Sequence, residues 1–199
     1  QPKSYLNQNI EVITTNFRAG KLDAAVIWEP TATKIAQGGL ARRAASGEDF
    51  DALDGGFLIM LNDLITQRPD VHRAWLEAEL DAQLFLADLN NAAEVSKLAE
   101  QQTEQMDRKV LWASLYGENP KDAGGGEVTL QLDYIVNERV QKLITEATEF
   151  LNSLPAKPAA SPKVRDGAVD DKVAREVLAK RGLNSPVSVI RAQPLSAFK

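Results

Sequence analysis

Residues 17–30 read FRAGKLDAAVIWEP, and this stretch decides the predicted fold. Gly20 follows a helical pattern and is expected to end that helix, as a glycine just past the last turn commonly does. The apolar run Leu22–Trp28 is bounded closely by Gly20 and Pro30, which favours a buried strand over a helix. Pro30 suits the first turn of a new helix, predicted at Thr31–Gln37. A strand held between two helices indicates an α/β fold.

A second apolar run lies further along the chain. Residues 57–61 read FLIML, directly after Gly55-Gly56, and predict a second buried strand. Residues 40–45 are a third candidate strand. With about three strands the predicted sheet is small, because sheets usually have about four to six. We therefore expect an incomplete sheet, or strands paired with another copy of the chain, and interpret the chain as a fragment.

The remaining elements are predicted to be helices. Pro69 and Asp70 begin a long helix, and a core-facing stripe repeats along it at spacings of three and four. The stripe consists of Val71, Trp75, Ala78, Ala82, Phe85 and Leu89. Asp133 is expected to cap a later helix with the stripe Val136, Val140, Leu143, Ala147, Phe150 and Leu154. Other helices are predicted at residues 7–18, 62–67, 92–102, 107–116 and 169–180.

The C-terminal part of the chain is more basic than the rest. Residues 155–162, PAKPAASP, are typical of an extended linker. Residues 162–199 hold eight Lys or Arg and four acidic residues, within a chain of net charge −5. Contact with an acidic partner or with lipid headgroups is open, but a solvated helix face is the favoured interpretation. The negative net charge argues against nucleic acid as a partner.

The polar residues form no recognisable catalytic pattern. The chain has no cysteine and one histidine, which excludes thiolate chemistry and a histidine-pair metal site. The histidine, His72, is expected on a helix surface. The acidic pairs Glu77/Asp81 and Glu100/Glu104 lie at helical spacing on polar faces and are expected to be solvated. We therefore predict a protein that is not an enzyme and carries no metal or cofactor.

Two motifs that follow one another along the chain resemble those of a known family. FRAGKLDAAVIWEP resembles a motif of the periplasmic solute-binding proteins of ABC importers for nitrate, taurine, aliphatic sulfonates and thiamine precursors. Phe17 stands where that family usually has leucine. The later stretch GGFLIMLNDLITQRPDVHRAWLEA resembles the strand and two helices that follow in the family, and residues 90–94 resemble its next step. The resemblance covers roughly residues 8–155.

The resemblance implies part of a type II periplasmic-binding fold, in which two α/β lobes close on a ligand. It places residues 1–53 at the end of lobe two and residues 54–155 in the returning part of lobe one. Residues 156–199 would be a linker and a basic helical tail. Gly55 and Gly56 would form a hinge, because adjacent glycines can absorb large backbone changes. The first part of lobe one and the start of lobe two have no counterpart in these residues.

The implied function is capture of a small anionic or zwitterionic solute, such as a sulfonate, taurine or nitrate. The implied partners are the solute and the ABC permease subunits of the inner membrane, and self-association of the chain is a further expectation. The implied location is periplasmic or extracytoplasmic, with a signal peptide removed. Two alternatives share the fold: an effector-sensing regulatory domain, and a thiamine-pyrimidine synthase-like enzyme. The second fits poorly, since that group has a cysteine-rich motif and functional histidines.

The predicted ligand site lies where the first apolar run ends. Trp28, Glu29 and Thr31 are expected to line it, because ligands of α/β folds bind beyond the carboxyl ends of strands. Free N–H groups at the start of the following helix would face an anion. Trp28 would supply an aromatic wall or an indole N–H. Glu29 would point away, pair with a cation such as Lys34, or receive an amino group of the ligand.

Overall fold

A computed structural model describes residues 6–52, 54–103, 106–123, 125–154 and 163–199. The predicted linker at residues 155–162 lies outside the described residues. Eight α-helices and two strands are present in these ranges. The helices are α1 (Ile10–Arg18), α2 (Thr31–Gln37), α3 (Asn62–Gln67), α4 (Pro69–Ala87), α5 (Ala92–Gln102), α6 (Arg108–Tyr116), α7 (Glu138–Ser153) and α8 (Lys172–Arg181).

The predicted helices are confirmed, and local capping explains several of their ends. The Asn9 side chain accepts from the Val12 N–H at the start of α1, and the Asp107 side chain caps α6 in the same way. Gly182 ends α8 in the left-handed conformation, with a φ of 65°. The predicted cap of α7 is wrong: Asn137, and not Asp133, accepts the Val140 N–H, so the helix begins later than expected.

The three predicted strands are wrong. Residues 22–28, 40–45 and 57–61 contain no strand, and the first and last of these segments are largely exposed. Val26 is 99% exposed and Ile59 is 88% exposed. The physical reason is that a strand needs a neighbour to hydrogen-bond with. No described segment pairs with these residues, so apolar composition alone does not produce a sheet.

A small antiparallel sheet forms elsewhere, between β1 (Val128–Leu132) and β2 (Ser188–Arg191). The Val187 N–H donates to the Leu132 carbonyl over 2.9 Å at one end of the pair. Leu132 and Ile190 are the buried members of the two strands. The chain is therefore helix-rich with a small sheet, which agrees with the coarse α/β prediction.

The chain folds into two compact units that are interleaved in sequence. The first unit contains residues 1–49, 92–129 and 191–199, and the second contains residues 50–91 and 130–190. The chain leaves the first unit within β1 and returns to it within β2. The predicted basic tail thus contributes residues to both units.

In the first unit α6 packs against α5 and α2. Its core includes Ile35, Leu111, Trp112 and Tyr116. Burial raises the pKa of the Tyr116 phenol to about 12. The C-terminal residues close this core, because the Gln193 N–H donates to the Tyr116 carbonyl over 2.7 Å and the Phe198 ring meets Trp112 edge-on.

In the second unit α4 packs against α3 and α8. The core consists of Leu80, Tyr134, Ala174, Val177 and Leu178. The predicted core-facing stripe of α4 is wrong, because Trp75 and Phe85 on that stripe are exposed. The buried face instead carries Leu76, Leu80 and Leu84. The helix is apolar on two faces, and α8 covers only one of them.

Ion pairs accompany the contact between α8 and α4. Lys180 pairs with Glu77, Arg181 with Asp81, and Glu176 with Arg73. The Arg181 guanidinium holds the pKa of the Asp81 carboxyl below its usual range. Both carboxylates remain accessible to solvent on the surface, as expected, and each also pairs with a cation of α8. Lys180 and Arg181 of the basic tail therefore pair with acidic residues of the same chain.

Candidate functional site

Trp28 is the last residue of the segment 22–28 and lies three positions before the first residue of α2. Its side chain is 65% exposed, so the indole ring is open to solvent. An exposed tryptophan offers an apolar face and one N–H donor. The role of Trp28 as the wall of a ligand site stays a prediction, and its exposure shows that it does not belong to the core of the first unit.

Glu29 is held from two sides. One carboxylate oxygen accepts the Thr33 N–H over 3.1 Å, and the other forms an ion pair with Arg43. Thr33 is the third residue of α2, whose N-cap position is occupied by Pro30 without a side-chain hydrogen bond. The Glu29 side chain therefore caps α2, and its negative charge interacts favourably with the N-terminal end of the helix dipole.

The free N–H groups expected at the start of α2 are mostly occupied, so that part of the prediction is wrong. The Ala32 N–H donates to the Trp28 carbonyl over 3.2 Å, and the Thr33 N–H donates to the Glu29 carboxylate over 3.1 Å. With the Thr33 N–H bound to Glu29, an anion gains little from this helix end. The Thr31 side chain is buried, which places it inside the first unit and not on an open surface.

Arg43 is the residue that sequence reasoning missed. Its side chain is 19% exposed, and one guanidinium nitrogen reaches both Glu29 and, over 3.5 Å, the Thr33 hydroxyl. Its Nε is buried with no hydrogen-bond partner among the described residues. The expectation that Glu29 pairs with a cation is met by Arg43. Its distance of 14 residues from Glu29 gives no local pattern from which the pair could be found.

The ion pair between Glu29 and Arg43 changes the net charge next to Trp28. An unpaired Glu29 would repel an anion, whereas the pair with Arg43 makes the two side chains neutral together. The carboxylate is also already engaged by two donors, so it offers less to an ammonium group of a ligand. The exposed indole of Trp28 thus stands next to a charge-balanced pair and not next to a free carboxylate.

Gly55 and Gly56 belong to the second unit. A Cβ on Gly55 would lie 2.8 Å from Cδ2 of Leu143, so the absent side chain allows α7 to approach closely. The same Cβ on Gly56 would meet nothing within 4 Å. Neither glycine has a positive φ. The close approach of Leu143 explains Gly55, and the hinge remains a prediction for both residues.

An open groove of about 680 Å³ runs along α7 in the second unit. Its carboxylates are Glu138, Glu146 and Glu149, and its one cation is Lys142. Lys142 is already paired, over 3.4 Å with Asp51 and over 3.6 Å with Glu146. The surplus of negative charge makes this groove a poor site for an anionic solute.

No group of three or more His, Cys, Asp or Glu side chains is placed to hold a metal ion in the ranges that the structure describes. No helix in those ranges is long and apolar enough to cross a membrane. His72 lies partly buried on α4.

Comparison with known proteins adds no relative. No protein-family model, no curated protein and no solved structure matches this chain. The resemblance to solute-binding proteins therefore rests on the motifs at residues 17–30 and 55–78 themselves.

Proposed function

We propose that this chain belongs to the solute-binding subunit of an ABC importer and contributes to the capture of a small anion, with a sulfonate as the best-fitting class. Taurine and nitrate are the other solutes that the resemblance implies. The observation that carries the proposal is the exposed Trp28 at the end of FRAGKLDAAVIWEP, next to a Glu29 whose charge is balanced by Arg43. The proposed fold is part of a type II periplasmic-binding fold.

The chemistry of the site supports an anion over a cation. An indole N–H can donate to a sulfonate oxygen, while the ring covers the apolar end of an alkylsulfonate. Glu29 is occupied by Arg43 and by the Thr33 N–H, so a ligand ammonium group would have to compete with both. We therefore expect an alkylsulfonate to bind at least as well as taurine, which differs by carrying an amino group.

The proposal includes no catalysis. Trp28, Glu29 and Arg43 offer no nucleophile with an adjacent general base, and an ion-paired carboxylate is a weak base. The proposed partners are the permease subunits of the importer, and the proposed location is outside the cytoplasm. A solute released from the protein should therefore be chemically unchanged, which NMR of the recovered ligand would establish.

Calorimetry tests the proposal directly. The chain is titrated with ethanesulfonate, taurine, nitrate and, as a cationic control, choline. We expect heat of binding with ethanesulfonate and none with choline. Preference for choline, or no binding of any of the three anions and zwitterions, would contradict the proposal.

A variant at Glu29 tests how the carboxylate charge affects solute binding while an acceptor for the Thr33 N–H is kept. Glu29→Gln keeps an acceptor for the Thr33 N–H but removes the ion pair with Arg43, which frees one cationic group. We expect ethanesulfonate to bind as tightly or more tightly in this variant. A large loss of ethanesulfonate affinity with α2 still folded would instead mean that the carboxylate itself contacts the solute.

A further inference from the structure

We propose that Phe57–Leu61 is a self-association strand, through which two copies of this chain pair antiparallel about a two-fold axis centred on Ile59. This interaction surface lies in the second unit and is independent of the proposed solute site. Its occupant is the same segment of a second copy.

The segment presents both apolar side chains and backbone groups to solvent. Phe57 is 50% exposed, Ile59 is 88% exposed and Leu61 is 80% exposed. Paired as a strand, these three alternating residues would share one face. No backbone N–H of residues 57–61 donates to another described residue, and the Leu61 carbonyl accepts only the first bond of α3. An extended apolar segment with open backbone groups is a template for pairing with another strand.

The segment is complementary to itself. Antiparallel pairing centred on Ile59 sets Phe57 opposite Leu61 and Leu58 opposite Met60, so every pair is apolar. Large apolar cross-strand pairs stabilise a sheet, whereas like charges directly opposite destabilise it. The paired strands end where α3 begins at Asn62, so the nearest charges, Asp54 and Asp63, lie outside the paired segment. The run also lacks proline and net charge, the usual obstacles to self-pairing.

The apolar surface extends beyond the strand. Leu143 of α7 lies against Gly55, and the same face of α7 continues to Ala147, Phe150 and Leu151. Phe150 is 63% exposed, and no residue of α7 is buried. Full burial of an aromatic side chain removes about 150–250 Å² from water, and Phe57 and Phe150 still expose 50% and 63% of theirs. With Leu58, Ile59 and Leu61 the combined exposed apolar surface is on the order of several hundred Å² per copy. That approaches the roughly 800 Å² per partner of a stable interface.

The other exposed apolar segment is a weaker candidate and supplies a control. Residues 22–28 have Asp23 and two alanines among their seven residues, so self-pairing there would cover fewer large side chains. Val26 in that segment is 99% exposed and as free of packing as Ile59. Substitutions at Ile59 and Val26 are therefore matched in exposure and differ only in the proposed interface.

Two experiments test the proposal. The first uses an introduced cysteine, which can form a disulfide only with the same cysteine of a second copy because the chain has no native cysteine. In the proposed register the two Ile59 side chains face each other, with Cβ atoms about 4.5–5.5 Å apart, close to the separation that a disulfide spans. Under mild oxidation Ile59→Cys should form a covalent dimer at least about tenfold faster than Val26→Cys. Equal rates for the two variants would overturn the register.

The second experiment measures mass in solution by analytical ultracentrifugation. The unmodified chain should show concentration-dependent dimers up to about 100 µM. Ile59→Lys should be monomeric over that range, while Val26→Lys should dimerise as the unmodified chain does. Circular dichroism establishes that each variant is folded, as expected for positions this exposed. A monomeric unmodified chain, or an Ile59→Lys variant that still dimerises, would overturn the proposal.

Discussion

Two apolar regions of the second unit differ sharply in how they are covered. On α4, the face with Leu76, Leu80 and Leu84 is closed by Tyr134 and α8, and Leu80 is completely buried. The segment 57–61, which is as apolar, leaves Ile59 88% exposed. The difference lies in the partner: α8 brings apolar residues and matching charges to α4, and no described element does so for residues 57–61. An apolar sequence therefore predicts a surface that can be buried, and a second element decides whether it is.

Alanine substitutions in the two regions should differ most in their effect on the free energy of unfolding. Leu80→Ala removes a fully buried side chain and should lower the free energy of unfolding by about 2–5 kcal/mol. Ile59→Ala should change it by less than about 0.5 kcal/mol at concentrations where the chain is monomeric, because the side chain is already exposed. Urea unfolding followed by circular dichroism measures both. Similar losses at the two positions would show that residues 57–61 are buried.

A single polar contact within the closed region should have an intermediate effect. The Tyr134 hydroxyl donates to the Leu76 carbonyl over 2.5 Å. Tyr134→Phe removes this hydrogen bond and keeps the ring, so the free energy of unfolding should fall by about 1 kcal/mol. The same urea experiment applies, with Ile59→Ala as the neutral reference. An unchanged midpoint would mean that this hydrogen bond does not help to hold Tyr134 against α4.

The ion pairs between α8 and α4 should contribute least, because they are exposed to solvent and screened by salt. The Asp81 pKa is lowered in the folded state by Arg181, so its contribution is present above the unfolded pKa and is lost as pH falls through the folded one. Arg181→Gln should raise the Asp81 pKa towards its ordinary value. An NMR titration of the carboxyl carbon measures this shift, and an unmoved pKa would contradict the pair.

The helices could be predicted from the sequence because their signals are local. Asn9, Asp107 and Gly182 lie within a few residues of the backbone groups that they cap or end. The strands were missed: β1 has the alternation of a half-buried strand, VTLQL, but it is short and its partner β2 lies about sixty residues further along the chain. Residues 22–28 and 57–61 had the composition of buried strands but lack a neighbour among the described residues.

In the candidate site, as in the fold, only the local features could be predicted from the sequence. Trp28 and Glu29 belong to a motif of fourteen residues, and their role in ligand binding stays a prediction. The Arg43 partner of Glu29 depends on how the chain folds back after α2, which no local pattern encodes. The N–H groups of α2 are occupied by local acceptors, because Thr33 donates to Glu29 and Ala32 donates to the Trp28 carbonyl, each four residues earlier.

The central claim is that Trp28 contacts an anionic solute, and paired calorimetry with ethanesulfonate tests it most directly. Trp28→Ala is compared with Trp75→Ala, which removes a similarly exposed tryptophan from α4, outside the proposed site. We predict that Trp28→Ala weakens binding by about 1–3 kcal/mol, as loss of an aromatic anchor does, and that Trp75→Ala leaves the affinity unchanged. Unchanged affinity in a folded Trp28→Ala variant, or an equal loss in both variants, would contradict the claim.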